Sequence, residues 1–176
     1  KEYFDKADYA AAEIEYKNAL TAKPDDPAAK KGLGLILLRQ GSSFEAGRML
    51  TLAKQKLPED DEVGIGLAQA MFELGFIPDS RKALVEVLDR TPGNGEALLL
   101  FAETSLTPEA FTECEERLAK AKAADSAPVL LATALLELRR GKTDEGEKLI
   151  TRAIESDPKY ARALSLQGTL FATRKQ

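Results

Sequence analysis

The residues of this chain that could do chemistry are few, and each has a plainer use. Histidine is absent, which removes the commonest general base and the commonest metal ligand together. Cysteine occurs once, at Cys114, so no internal disulfide can form and the redox compartment is not readable. Glu59, Asp60, Asp61 and Glu62 put four carboxylates in a row. That is enough charge for a cation, but acidic side chains at a helix start also complement the helix dipole. Gly32-Leu33-Gly34 holds two glycines of a phosphate-binding turn without the rest of the fingerprint, and reads as close packing. The doublets Lys30-Lys31 and Arg139-Arg140 read as solvated charge or as contacts for an acidic partner. No Ser/Lys, Cys/His or paired-carboxylate set has the spacing that catalysis needs. The expectation is a chain that is no enzyme and takes neither cofactor nor metal.

Composition narrows the partners. The net charge of −4 argues against nucleic acid, whose phosphates are bound by clustered Lys and Arg. No apolar run approaches the roughly 18 residues of a membrane span. Charged residues at 31% and hydrophobic ones at 44% fit a folded domain in water. The chain begins at Lys1, inside a structural unit, and reads as a fragment of a longer protein.

What must position these residues is a repeat. A small residue recurs at Ala12, Ala46, Ser80, Cys114 and Gly146. A bulky one follows at Tyr16, Leu50, Leu84, Leu118 and Ile150. A second small column is Ala19, Ala53, Val87, Ala121 and Ala153, and the closing column is Pro24, Pro58, Pro92, Ser126 and Pro158. The interval is 34 residues three times and then 32, with the two missing residues placed around Asp125–Pro128. A second skeleton precedes each copy: Leu33-Gly34 with Leu37, Leu67-Ala68 with Met71, Phe101-Ala102 with Ser105, and Gln167-Gly168 with Phe171. Thr133-Ala134 with Glu137 is a degenerate copy. Gly41, Gly75 and Gly141 stand between the two skeletons, and Thr107-Pro108 replaces the glycine once. Thr107 there predicts an N-cap with Pro108 in the first helical position.

Apolar spacing of three and four within each half predicts helices, with glycine ending the first and proline following the second. The unit is thus a helical hairpin. One hairpin cannot bury its apolar face alone, so neighbours stack. The boundaries predicted are a partial repeat over 1–26, full repeats over 27–60, 61–94, 95–126 and 127–160, and a lone first helix over 161–176. Tyr3 and Phe4 at one end, and Leu164 and Phe171 at the other, would be partly bare. The natural protein is therefore expected to continue in both directions, or its ends to pair with another copy.

These columns resemble the tetratricopeptide repeat (TPR) over the whole chain. Leu33-Gly34, Leu37, Gly41, Phe44, Ala46, Leu50, Ala53 and Pro58 match nearly every signature position. Gly64, Ser126, Glu137 and the absent tryptophan depart from it. The resemblance implies an all-α, right-handed superhelix of stacked antiparallel hairpins, with the first helices lining a concave groove and a protein or peptide as partner. The groove positions are Lys31, Leu35, Leu38 and Arg39 in one copy, then Ile65, Gln69 and Phe72, with Glu62 and Glu73 beside them. They continue as Glu96, Leu99, Glu103 and Leu106, then Leu131, Leu135, Leu138 and Arg139, then Arg162, Ser165 and Thr169.

That set is unusually apolar. A peptide or amphipathic helix in the groove would cover it; adjacent first helices burying the leucines against one another would do so equally. The family's two-carboxylate clamp, which grips a peptide C-terminus, fits poorly. Lys31 stands in one of its places, but Leu35, Gly66 and Glu96 replace its other polar residues. The expected function is a protein-interaction scaffold. An accessory domain of a larger enzyme and a self-assembly module are the alternatives. Residues 1–29 are similar in style to bacterial cell-envelope repeat proteins of export, sorting or assembly systems, which implies a periplasmic or envelope setting.

Overall fold

The structure is a computed structural model that describes residues 9–121 and 125–173. The described residues form ten helices and no strand. In order they are α1 (Tyr9–Ala22), α2 (Pro27–Arg39), α3 (Ser43–Lys54), α4 (Asp61–Glu73) and α5 (Ile77–Arg90). Then come α6 (Gly95–Glu103), α7 (Pro108–Ala119), α8 (Ala127–Arg139), α9 (Thr143–Ser156) and α10 (Ala161–Thr173). The fold is an all-α helical repeat of the solenoid class. Two compact units divide the chain at Val87 and Leu88.

Helix starts follow from their caps. Asp26, Asp60 and Asn94 hold extended backbone and accept hydrogen bonds from the first-turn N–H groups of α2, α4 and α6. Thr107 caps α7 through Ala110 N at 3.3 Å, with Pro108 behind it as expected. The acidic run at 59–62 is such a start: Asp60 accepts from Val63 N at 3.1 Å and α4 begins at Asp61. Helix ends follow from glycine. Gly41, Gly75 and Gly141 have φ of 76°, 83° and 78°, a left-handed conformation that a Cβ resists.

In the first unit α2 packs on α1, α3 and α4, and α3 packs on α4. The small columns set how closely the helices approach. A methyl group placed on Gly34 would stand 2.7 Å from Leu50 Cγ, and one on Gly32 would stand 2.2 Å from Tyr16 Cζ. The glycine pair of residues 32–34 is therefore packing. Gly64, the departure from the repeat pattern, leaves the space that Val87 Cγ2 occupies. Leu38, Ala46, Leu50, Leu67 and Ala70 form the core cluster, with Leu35, Leu37 and Met71 against it.

Ser80, in the first small column, is fully buried and its hydroxyl has no hydrogen-bond partner. A buried orphan hydroxyl costs about 1–3 kcal/mol. Ser80→Ala keeps the Cβ and deletes the orphan, so we expect it to stabilise the chain by about 1 kcal/mol, read as a higher urea midpoint at unchanged slope.

In the second unit α8 packs on α6, α7 and α9, and α10 lies on α9. The core here is the interior of α6 and α8. Leu98, Leu99, Phe101, Leu131, Ala132 and Ala134 are at most 1% exposed. Cys114 is buried in its small column, as its place in the repeat implies.

Candidate functional site

The groove positions are distributed between packing, ion pairing and one open cleft. In the first unit, Lys31 reaches from α2 to the start of α4 and meets Asp60 at 2.7 Å and Glu62 at 2.5 Å. Burial opposes its charge, but the two carboxylates outweigh that and raise its pKa. Burial also opposes ionisation of Asp60, yet the Lys31 ammonium and the Val63 N–H hold its carboxyl below its ordinary value. Lys31, expected at the groove edge, is thus engaged inside the unit as a link between two first helices.

The Asp60 shift has a definite sign. A depressed folded-state pKa gives stability that is present above the unfolded value, about 3.9, and is lost as pH falls through the folded value. Asparagine caps a helix as well as aspartate, so Asp60→Asn removes only the charge. We expect it to cost about 0.5–1 kcal/mol at neutral pH. The difference from wild type should shrink as pH falls below about 4, as urea titrations across that range would show.

The remaining first-unit positions are mostly packed. Leu35 is half-buried and Leu38 is buried, and both crowd the notch at Gly66, where an added methyl group would meet Leu35 Cδ2 at 3.0 Å and Leu38 Cδ1 at 3.5 Å. Ile65 and Phe72 are half-buried, Arg39 is exposed, and Gln69 donates to Glu73 Oε1 at 2.9 Å. Glu73 also accepts from the Ser43 hydroxyl of α3.

The second unit holds the cleft. Its volume is about 440 Å³, and it is lined by α6 through Leu99 and Glu103, by α8 through Leu131 and Leu135, and by α10 through Ala161, Arg162, Ser165, Leu166 and Thr169. Leu99 and Leu131, each 1% exposed, are its floor. Leu135 is half-buried and faces the opening. Two further expected positions lie outside it. Leu138 fills the notch at Gly146, 2.6 Å from where a methyl group would stand. Arg139 donates to the carbonyls of Ala102, Ser105 and Glu103, at 2.5, 2.8 and 3.0 Å. These are carbonyls at the C-terminal end of α6, where a cation is favoured.

A polar network links α6 to the start of α10. Arg162 pairs with Glu103 and, at 3.4 Å, with Glu96. The Tyr160 hydroxyl donates to Glu96 Oε1 at 2.7 Å. Burial and the Glu96 carboxylate push the Tyr160 pKa well above its usual value, so it stays a neutral donor. Burial opposes the Arg162 charge, but Glu103, Tyr160 and Glu96 outweigh it and raise its pKa. Glu96, Glu103 and Arg162 were legible as groove positions, whereas Tyr160 was not. It occupies the column that is Asp26, Asp60 and Asn94 in earlier repeats, so its place promised a cap and gave no sign of a reach to Glu96.

A second cleft of the same unit, about 460 Å³, lies among Leu88, Asp89, Pro92, Glu113, Glu116, Arg117 and Lys120. Its walls are mostly charged, and Arg117 is already paired with Asp89 at 3.0 Å and stacked over Phe101 at 5.4 Å. Leu88 and Pro92 are its apolar lining. Among the described residues no cluster of His, Cys, Asp and Glu could hold a metal ion, and no helix is long and apolar enough to cross a membrane.

Solved structures share this architecture. A thermophilic TPR protein of Thermus thermophilus aligns with 97% of this chain and 94% of its own, at TM-score 0.78 and 20% identity. Pseudomonas aeruginosa pilF aligns with 99% of this chain and 82% of its own, at TM-score 0.70 and 16% identity. YrrB, a TPR protein with an unusual peptide-binding site, aligns with 94% of this chain and 87% of its own, at TM-score 0.63 and 15% identity. No curated protein matches by sequence. The tetratricopeptide repeat family model matches residues 1–60 and 131–176, which together exceed half of the sequence. With its 34-residue columns, capped hairpins and glycine-ended first helices, the chain belongs to the tetratricopeptide repeat family.

Proposed function

We propose that the chain is a non-catalytic protein-interaction scaffold whose α6–α8–α10 cleft receives a peptide or helix of a partner protein. Members of this family generally mediate protein–protein interactions, and the fold neighbour YrrB carries a peptide-binding site. The observation that carries the proposal is the cleft itself: the half-buried leucines Leu135 and Leu166 and a polar rim of Glu103, Arg162, Ser165 and Thr169. Concave, mainly apolar sites with a few polar groups are where segments dock. Each leucine-sized side chain covered contributes about 1.5–3 kcal/mol. The similarity of residues 1–29 to envelope repeat proteins supports a bacterial export or assembly system as the setting. Cell fractionation of the source organism tests that setting.

Leu135→Glu is the direct test of the cleft. The side chain lines the opening without belonging to the floor, so helical content and melting stay near wild type. Capture of the partner from native lysate is lost. Unfolding of the variant, or undiminished capture, overturns the proposal.

A second reading has its own observation. On α10, Leu164 is 45% and Phe171 is 56% exposed, and Gly168 has nothing within 4 Å of where its Cβ would be. Self-association through this helix would cover them. Sedimentation velocity over a concentration series decides it, since a concentration-independent monomer removes this reading.

A further inference from the structure

The geometry points to a second docking site, on the face of α10 turned away from the cleft, for an amphipathic helix of a partner protein. That helix carries a small residue, a leucine four positions on, and an alanine or glycine three further. The site is separate from the cleft and does not rest on it. Leu164, Gly168 and Phe171 stand at i, i+4 and i+7 and form one stripe. At about 100° per residue they point away from Arg162, Ser165 and Thr169, which line the cleft. In α4, α6 and α8 the first two of these columns are buried. Ala68, Ala102 and Ala134, in the column of Gly168, are 0% exposed, and Leu98 and Leu130, in the column of Leu164, are at most 4% exposed. On α10, Leu164 is 45% and Phe171 is 56% exposed, and a Cβ on Gly168 would meet nothing within 4 Å.

What covers such a stripe elsewhere in the chain is the next helix. Leu50 of α3 fills the space at Gly34 of α2, and Val87 of α5 fills the space at Gly64 of α4. Sizes compensate along these columns. Where the first helix has Leu98 or Leu130 in place of Gly64, the residue in the Val87 column is Ala121 or Ala153. Leu164 therefore fits opposite a small residue, and the open Gly168, like Gly34, fits a leucine. Arg162 is the one charged residue of Ala161–Thr173, and it is held by Glu103 and Glu96. The stripe is thus apolar and uncharged, as the centre of an interface is. A second copy of the chain has no such helix free. Leu50, Leu84 and Ile150 of α3, α5 and α9 are at most 1% exposed, Cys114 of α7 is 0% exposed, and Tyr16 of α1 already packs at Gly32. The occupant is therefore a helix of another protein.

The probe is a peptide of residues 42–58, which hold Ala46, Leu50 and Ala53 in the required order. A lactam between Arg48→Lys and Leu52→Asp, both at exposed positions, supplies the helix nucleus that a free peptide of this length lacks. Fluorescence anisotropy of the labelled peptide and hydrogen exchange are read on the whole chain. The result expected is saturable binding with added protection in α10. Gly168→Leu fills the notch from the chain's own side, where nothing lies within 4 Å, so the variant folds and binding weakens about tenfold or more. Leu50→Glu in the peptide does the same, and Leu135→Glu in the cleft changes nothing. Binding that survives Gly168→Leu, or that is lost with Leu135→Glu, overturns the proposal, and so does no binding at millimolar peptide. Exchange altered in α2 and α3 instead of α10 overturns it as well, because the peptide would then be replacing its own copy. A concentration-dependent dimer that Gly168→Leu dissociates also overturns it, since a second copy would then cover α10.

Discussion

Leu131→Glu unfolds the second unit, whereas Leu135→Glu, four residues along the same helix, leaves it folded. Leu131 is 1% exposed, on the face where α8 meets α6 beside Leu99 and Leu98. A carboxylate there is taken out of water or forces the helices apart. Either outcome costs at least about 4 kcal/mol, a large part of the stability of a unit this size. Leu135 lines the opening and is only half-buried, so its glutamate can turn to water. Hydrogen exchange of α6 and α8 separates the two variants: protection is lost in the first and kept in the second. The pair also decides between the two sources of the apolar first helices. Neighbouring helices cover Leu131 and Leu99, and a partner remains to cover Leu135. Leu35 makes a poorer probe of the groove, because it already packs at the Gly66 notch.

Alanine at the same repeat position has opposite effects at the two ends of the chain. Gly34 and Gly168 occupy the same column of the first helix. A methyl group at Gly34 would stand 2.7 Å from Leu50 Cγ and 3.4 Å from Ala46 O, and Leu50 is fully buried with no room to yield. Overpacking of this kind costs about 1–3 kcal/mol, which outweighs the roughly 1 kcal/mol that alanine gains over glycine in a helix. Gly168 has nothing within 4 Å, so Gly168→Ala keeps that gain and stabilises α10 by about 0.5–1 kcal/mol. Repeat units unfold partly independently, so exchange rates measured within α2 and within α10 are the appropriate readout. A loss at both positions would mean that the open notch on α10 is filled in solution, as the self-association reading requires.

What was legible in the sequence was whatever a single hairpin dictates. Gly41, Gly75 and Gly141 marked helix ends because only a residue without Cβ enters the left-handed region cheaply. Asp60 and Thr107 marked starts because their oxygens reach an N–H three residues on. Residues 1–8 of the partial repeat expected over 1–26, Tyr3 and Phe4 among them, lie outside the described residues, and so does part of the connection before Asp125. What could not be read were interactions between hairpins. Lys31 with Asp60 spans 29 residues, Arg139 with Ala102 spans 37, and Tyr160 with Glu96 spans 64. Each depends on the rotation between neighbouring first helices, which the period of the repeat does not carry. For the same reason Lys31 and Arg139 looked available to a partner, and the Glu96–Arg162–Glu103 network could not be drawn from its members.

Hydrogen exchange of the wild-type chain with and without a bound partner peptide tests the cleft most directly. Added protection is expected in α6, α8 and α10, around Glu103, Leu135 and Thr169. Protection placed instead along α5 and α7, around Asp89 and Arg117, or no change anywhere at saturating peptide, would contradict it.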